Sequence, residues 1–458
     1  MVQYVISLLG SPTAQTILGD KAFGLNSFSA AVGVGHIPEA RAVFWNPGPA
    51  KLPPLGLHSV AYAVNDSGHV VGAWGNYALP ESQEIDPVTG PAAQAFLYRD
   101  GEMHDLANVF GAKLSVATDI NNDGLIAAWA GDIASPHAYL YNSQAGSAPM
   151  DLGLLPGYNA AKAMALNNNG NVVGILMKNT PDSPHAFLYN GGLVDLGPDT
   201  YAYDINEQGQ IVGERLVSPP ANWNSFLCET SSGNLQFTDL GHLQKPGFVG
   251  SVARSINNHG DIVGYSFTPY GVGLNGLPKM SRAFLRPGPG DPLAGQMLDL
   301  NDLIPPDSGW LLHFASAIND NRQIVGTGTY NGLYRAFLLT PLIRLDDDFP
   351  TLLTHILLKI PTPSSPGLVV TEGGKRIPIY PWGPPVDPWG RFRRLTAPQR
   401  DMLVGLAINV LAANIIDPEA RRIAEIGGLD AIRLTIDRML GELGRAEGSQ
   451  DSGTTWPP

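Results

Sequence analysis

Apolar and polar positions along this chain alternate in short bursts rather than in long stripes. Runs rich in alanine, β-branched and aromatic residues are broken by Gly, Asn, Asp and Pro, and the runs return in one order. The order is plainest in Ala163-Met164-Ala165-Leu166-Asn167-Asn168-Asn169-Gly170-Asn171-Val172-Val173-Gly174, then His185-Ala186-Phe187-Leu188-Tyr189, then Asp195-Leu196-Gly197. Short runs of this composition predict strands. The Asn-x-x-Gly joints, as at Asn167 to Gly170 and Asn257 to Gly260, predict tight hairpins, because Asn and Gly tolerate a positive φ.

The Asn that closes the first run recurs at Asn26, Asn65, Asn121, Asn167, Asn206, Asn257 and Asn319. The spacing is about 49 residues, in the range of stacked or radial repeats. Each unit predicts four strands. The first reads Ala-x-x-Ile/Leu/Val-Asn and the second Ile-Val-Gly. The third reads Ala-Phe-Leu, and the fourth ends in Asp-Leu-Gly. Four short strands per unit predict an all-β, seven-bladed β-propeller of four-stranded blades. Unit seven stops at Ala336-Phe337-Leu338-Leu339 without the Asp-Leu-Gly run, whereas Tyr4 to Gly10 resembles a fourth strand with nothing before it. Residues 3–10 are therefore expected to close the last blade and cover its edge. The competing expectation is a local strand over Leu342 to Leu345. Unit one is the weakest copy, with its fourth strand expected at Leu55-Gly56.

The His137-Ala138-Tyr139-Leu140-Tyr141 and His185-Ala186-Phe187-Leu188-Tyr189 runs, within the Ile-Asn-x-x-Gly-x-Ile-Val-Gly frame, resemble the HAF-repeat family, a bacterial and often extracellular repeat family. The resemblance covers roughly residues 3–340 and implies a propeller-like fold, with no particular reaction. The His position is held by Arg41, Gln94, Asn224, Arg282 and Arg335 in the other units. That variation points to a structural His, bonded to backbone at the start of strand three.

Beyond the propeller (1–341) the pattern breaks. Residues 342–392 are proline-rich, with Tyr380-Pro381-Trp382 and Asp387-Pro388-Trp389, and predict an extended linker packed on a surface. Residues 393–446 predict helices: Thr396 and Pro398 mark a start, and Met402, Leu403, Leu406, Val410 and Leu411 give one apolar face. Helices this short need a partner surface, either the propeller or the same helices of a second copy in a homodimer. A disordered tail is expected over 447–458.

Composition narrows the function. A formal charge of −13 argues against nucleic acid, which needs a basic surface. One cysteine, Cys228, excludes a disulfide framework or a cysteine zinc site and is expected to be buried. Nothing reads as a membrane span or signal peptide. The chain as written reads as cytoplasmic, while the family resemblance implies secretion. No cofactor motif occurs. Asp119 to Gly124 matches the opening of a calcium loop, but Ala130 stands where its bidentate Glu belongs, so a turn is expected and no metal site.

Candidate chemistry lies where the copies disagree. The second position of strand one reads Phe23, Tyr62, Thr118, Met164, Tyr203, Arg254 and Ser316; the third reads Gly24, Ala63, Asp119, Ala165, Asp204, Ser255 and Ala317. Small residues suit converging strands, so the two carboxylates stand out. His58, Lys162 and His313 are expected on loops leading into strand one. Long loops over 74–93 and 266–281, with Trp74 at the edge of the first, are expected at the rim. Two functions follow. One is a binding or scaffold propeller holding a small molecule, glycan or peptide through Tyr62, Tyr203, Arg254, Lys162 and Trp74. The other is a metal-independent cyclase, lyase or hydrolase using Asp119, Asp204, His58 and His313 as acid, base or shuttle. Against the second stands the expectation that the two Asp residues only cap backbone amides or pair with Arg254.

Overall fold

The computed structural model describes residues 4–341, apart from 11–18, 37–39, 47–48, 76–92, 179–182, 218–221, 231–233 and 270–279, together with the backbone of 369–372 and 375–378. Residues 1–341 form one unit and 342–458 another. In the second unit, Val369–Glu372 and Lys375–Pro378 pair as an antiparallel hairpin. Strands there were not expected in a proline-rich stretch. The helices expected over 393–446 and the tail from 447 lie outside the described residues.

The first unit is a ring of seven four-stranded antiparallel sheets. Blade four shows the plan: Ala160–Leu166, Val172–Met177, His185–Tyr189 and Leu193–Pro198 run from the centre outwards. The ring closes as the sequence implies. Tyr4–Leu9 pairs with Leu333–Pro341 as the outermost strand of blade seven, from Tyr4 opposite Pro341 to Leu9 opposite Ala336. Joining the two ends of the unit in one sheet leaves no open seam in the ring. In blade one the fourth strand is Pro49–Lys51 rather than the stretch around Leu55. Pro49 heads this edge strand, a position where its missing N–H is harmless.

The core lies between blades. Phe96, Phe187, Phe226, Phe284 and Phe337, the Phe of the third-strand run, are all fully or almost fully buried. Typical of the blade interfaces, Val212 of blade five packs with Ala253, Ile256 and Ile262 of blade six. Cys228 is fully buried in the interface between blades four and five.

Every first strand carries a β-bulge at the same place. The register skips one residue between Ala163 and Ala165, between Ala202 and Asp204, and at the equivalent step of the other five blades. The skipped residue is the variable second position. Opposite the bulge, the Gly of Ile-Val-Gly comes so close that a Cβ on Gly213 would lie 1.8 Å from the Tyr201 carbonyl oxygen, and one on Gly174 2.1 Å from that of Lys162. Glycine is therefore required by close approach. Blade three alone departs, with Ala128 paired to Ala117.

The Asn that ends each first strand ties the ring together. Its Nδ2 donates to the backbone carbonyl of the next blade's Asn: Asn26 to Asn65, Asn65 to Asn121, Asn121 to Asn167, Asn167 to Asn206, Asn206 to Asn257, Asn257 to Asn319, and Asn319 back to Asn26, at 2.9–3.2 Å. Its Oδ1 meanwhile caps the hairpin that follows. At Asn121 it accepts from the Asp123 and Leu125 amides at 3.1 and 2.9 Å. The same turn position holds Gly124, Gly170, Gly209 and Gly260 at φ near +75°, but Ser29 and Arg322 in blades one and seven, at φ 67° and 58°. Arg322 offsets that strain by pairing with Asp261 at 2.9 Å and Asp291 at 3.1 Å.

Two outcomes are expected in equilibrium unfolding. Gly213→Ala should destabilise by about 1–3 kcal/mol through overpacking against backbone, whereas Ala128→Gly should cost only about 0.5–1 kcal/mol. Asn121→Ala removes one cross-blade donor and the single oxygen that accepts both turn amides, and should cost about 2–3 kcal/mol.

Candidate functional site

The first strands line a central channel built as successive collars. Nearest the hairpin turns is an outer polar collar, the residue after each Asn: Ser27, Asp66, Asn122, Asn168, Glu207, Asn258 and Asp320. Its members also bond in sequence. The Ser27 amide donates to Asp66 Oδ1, the Asp66 amide to Asn122 Oδ1, and so on to Asn258 and Asp320, at 2.8–3.1 Å. Next come the Asn ring and a collar of Ile, Leu and Val. Beyond these lies a cavity of about 260 Å³.

The second-position residue of every blade lines this cavity: Phe23, Tyr62, Thr118, Met164, Tyr203, Arg254 and Ser316. A bulge explains why. It aims the extra side chain out of the ladder, here towards the axis. Thr118 is the inward-tied member, with Oγ1 donating to the Ala127 and Ala163 carbonyls at 3.1 Å. The Arg254 guanidinium lies over the Tyr203 ring at 4.2 Å and reaches Tyr265 at 6.0 Å. Tyr203 in turn donates its hydroxyl to Glu214 at 2.6 Å. Burial, and then the Glu214 charge, push the Tyr203 hydroxyl well above its ordinary range.

Asp119 and Asp204 line the same cavity, and the structure holds them alike. Asp119 accepts from its own blade's Ile120 amide at 2.8 Å and from Leu166 of the next blade at 2.9 Å, one oxygen each. Asp204 accepts from Ile205 at 2.8 Å and Ile256 at 2.9 Å in the same way. Each carboxylate thus staples two blades while keeping some surface towards the channel. Burial raises the Asp119 carboxyl to about 7; the amide of Leu166 opposes this and the Asp204 charge adds to it. Burial likewise raises Asp204 to about 6, against the hydrogen bonds of Ile256, Ser255 and Ile205.

The other sequence candidates sit apart from this cavity. His58, Lys162 and His313 are not on loops: they belong to the first strands His58–Val64, Ala160–Leu166 and Trp310–Ile318. Their strands begin earlier than the Ala-x-x-Ile-Asn pattern implies, because pairing with strand two extends past the bulge. Lys162 Nζ lies over Trp129 at 4.6 Å. His313 is packed against Phe314 and Tyr334, with Nδ1 3.2 Å from the Ser281 carbonyl oxygen, and burial lowers its pKa. Trp74 is the penultimate residue of strand two of blade two, Val70–Gly75, and donates Nε1 to Asp105 at 3.3 Å. The tips of the two long loops, 76–92 and 270–279, lie outside the described residues. Asp119 to Gly124 ends in the same hairpin turn as the other units.

The third-strand His has a partner that the sequence reading missed. His137 Nδ1 lies 2.8 Å from Asp151, and His185 Nδ1 2.8 Å from Asp195. Asn224 and Arg282 bond the equivalent Asp239 and Asp299. In blades three to six the residue thus bonds the Asp of the fourth strand, whereas Arg41, Gln94 and Arg335 of the other blades bond the backbone carbonyls of Gly56, Lys113 and Tyr334. The same Asp caps the chain two residues on, as Asp151 does for Gly153 at 2.8 Å and Asp195 for Gly197 at 2.8 Å. A donor-bearing side chain opposite the fourth-strand Asp of these four units was the readable signal.

Against known proteins, a family model described as "Protein of unknown function (DUF3466)" matches residues 195–335, which run from the fourth strand of blade four into the third strand of blade seven. No curated protein matches this chain. Among solved structures, the chain is similar to the β-propeller domain of the Trilobed protease from Pyrococcus furiosus, at 8% identity and TM-score 0.44, covering 72% of this chain and 99% of that one. It is similar to TolB from Acinetobacter baumannii at 12% identity and TM-score 0.35, covering 59% of this chain and 63% of that one. It is also similar to an acylaminoacyl peptidase from Pyrococcus horikoshii at 14% identity and TM-score 0.31, covering 52% of this chain and 37% of that one. The chain thus spans less than two thirds of the latter two, and likeness at this level carries no functional argument.

Proposed function

We propose that this protein is a binding propeller that holds a small molecule in its central channel, and that its repeats are of the HAF type. The observation that carries the reading is the cavity of about 260 Å³ lined by one bulged residue from each blade. The repeat keeps the frame constant and varies that one position. The volume lies just under the ~300–1,000 Å³ usual for small-molecule sites, so a glycan or peptide would enter with one end only. The binding reading is favoured over acid–base catalysis because each oxygen of Asp119 and Asp204 already accepts a backbone amide. Neither His58 nor His313 lines the cavity.

Buried carboxylates in a channel cost stability, and function explains why a sequence keeps them. Both folded carboxyls titrate above their ordinary value of 3.8, Asp119 at about 7 and Asp204 at about 6. Their contribution is therefore fully present below about 4, where both states are protonated. It is lost as pH rises through about 6 and 7, at about 1.4 kcal/mol for each pH unit by which the carboxyl is raised. Thermal unfolding from pH 4.5 to 8 should show Asp119→Asn gaining on the parent protein as pH rises. A constant difference would mean that the carboxyl is not raised.

The channel reading is checked by thermal-shift screening of small metabolites and sugars. A ligand at a hundred times its Kd stabilises by about 2.7 kcal/mol, a Tm rise of a few degrees. Ser316→Trp, which fills the cavity from a bulged position, should abolish the shift while leaving the apo fold intact by circular dichroism. Hits that bind Ser316→Trp unchanged would place the site elsewhere.

A further inference from the structure

We infer that the channel is selective for small organic cations, of the ammonium type, in preference to anions or neutral molecules of the same shape. The inference rests on the channel-binding reading above and adds the ligand's charge.

Charge along the axis has one dominant sign. Asp119 and Asp204 line the cavity, and Asp66, Glu207 and Asp320 line the mouth at the hairpin-turn face. No Lys, Arg or His is among the described residues lining that mouth. Among the described residues, Arg254 is the one cation lining the cavity. Lys21 and Lys162 stand nearer the loop face, Lys162 over Trp129, and neither lines the cavity. A narrow, low-dielectric passage focuses the field of such carboxylates and concentrates cations in it.

Aromatic surface supplies the second half of the argument. Phe23 and Tyr62 line the cavity together, their centroids 6.0 Å apart and their planes tilted by 41°. Tyr203 lines it from blade five and already carries a cation on its face, the Arg254 guanidinium. That contact is a worked example, inside the protein, of what the lining prefers. Faces of Tyr and Phe attract desolvated ammonium groups by about 0.5–2 kcal/mol each. The carboxylates are also pre-set, since backbone amides from two blades fix each one. Their orientation costs nothing further when a cation arrives. Burial, the first cause of the upward displacement of both carboxyls, is also what makes their charge count for more once a cation is beside them. The groups facing them that would shape a pH profile are each other, Arg254, Tyr62 and Tyr203, with Glu214 behind Tyr203.

The test uses the full chain and three probes that share a phenyl ring and differ in charge: benzyltrimethylammonium, benzyl alcohol and benzoate, titrated by calorimetry at pH 8. The expected order puts the ammonium at least tenfold tighter than either of the others. Affinity should fall severalfold at pH 5.5 and in high salt. Asp119→Asn and, as a variant that leaves the staple intact, Tyr62→Leu should each weaken it by about fivefold or more. Benzoate or benzyl alcohol binding as tightly as the ammonium, in a manner blocked by Ser316→Trp, overturns the charge preference and leaves the channel reading standing. Ammonium binding that survives Ser316→Trp, or that Tyr62→Leu leaves unchanged, overturns the preference as a property of this cavity. If none of the probes binds and the library hits ignore Ser316→Trp, both readings fail.

Discussion

The closed circle of Asn side chains is the constraint on which the rest depends. Seven amides each donate to the next blade's backbone, and the seventh returns to the first. Sheet hydrogen bonds hold each blade together, but the blades meet chiefly through apolar side chains, which are non-directional. A directional contact repeated at every seam fixes the angle at which neighbouring blades meet, and with it the number that completes a turn. Because each Asn Oδ1 also caps its own hairpin, the joint within a blade and the joint between blades are one residue. Losing that residue would leave buried donors and acceptors without partners on both sides, which is more costly than losing a hydrogen bond in water.

The bulge follows from the same crowding at the axis. Seven strands converging on a channel leave room for alanine and glycine, and one extra residue per strand must go somewhere. The ladder sends it inwards. A glycine on strand two makes space for the displaced carbonyl. Thus a packing requirement places seven variable side chains around one cavity and frees them from the alternation that governs their neighbours. The frame can be held while the lining changes.

Asp119 and Asp204 show how structure and function share a residue. Stapling two blades through backbone amides is a structural task, and Ser255 takes a version of it, accepting from the Ile318 amide at 3.3 Å. A carboxylate does the same task at a penalty in burial that serine avoids. Its retention at two of seven positions is what the proposed cation preference accounts for.

Much of the fold was legible in the letters. Asn-x-x-Gly turns, short β-rich runs and an unmatched N-terminal strand report local geometry and a missing edge, both of which one sequence carries by itself. The second-position column also contains the cavity lining, although Phe23, Thr118, Met164 and Ser316 stand out less in it, because an apolar or small residue gives little chemical signal. Tertiary structure decided the rest. Hydrogen bonds between residues 39 to 62 positions apart, such as Asn26 to Asn65 and Asn257 to Asn319, have no local signature. Nor could spacing tell that both oxygens of Asp119 would meet amides, or that His58 and His313 would stand away from the cavity. Those outcomes depend on how one blade faces the next, which is set by packing across the seams rather than by any single repeat.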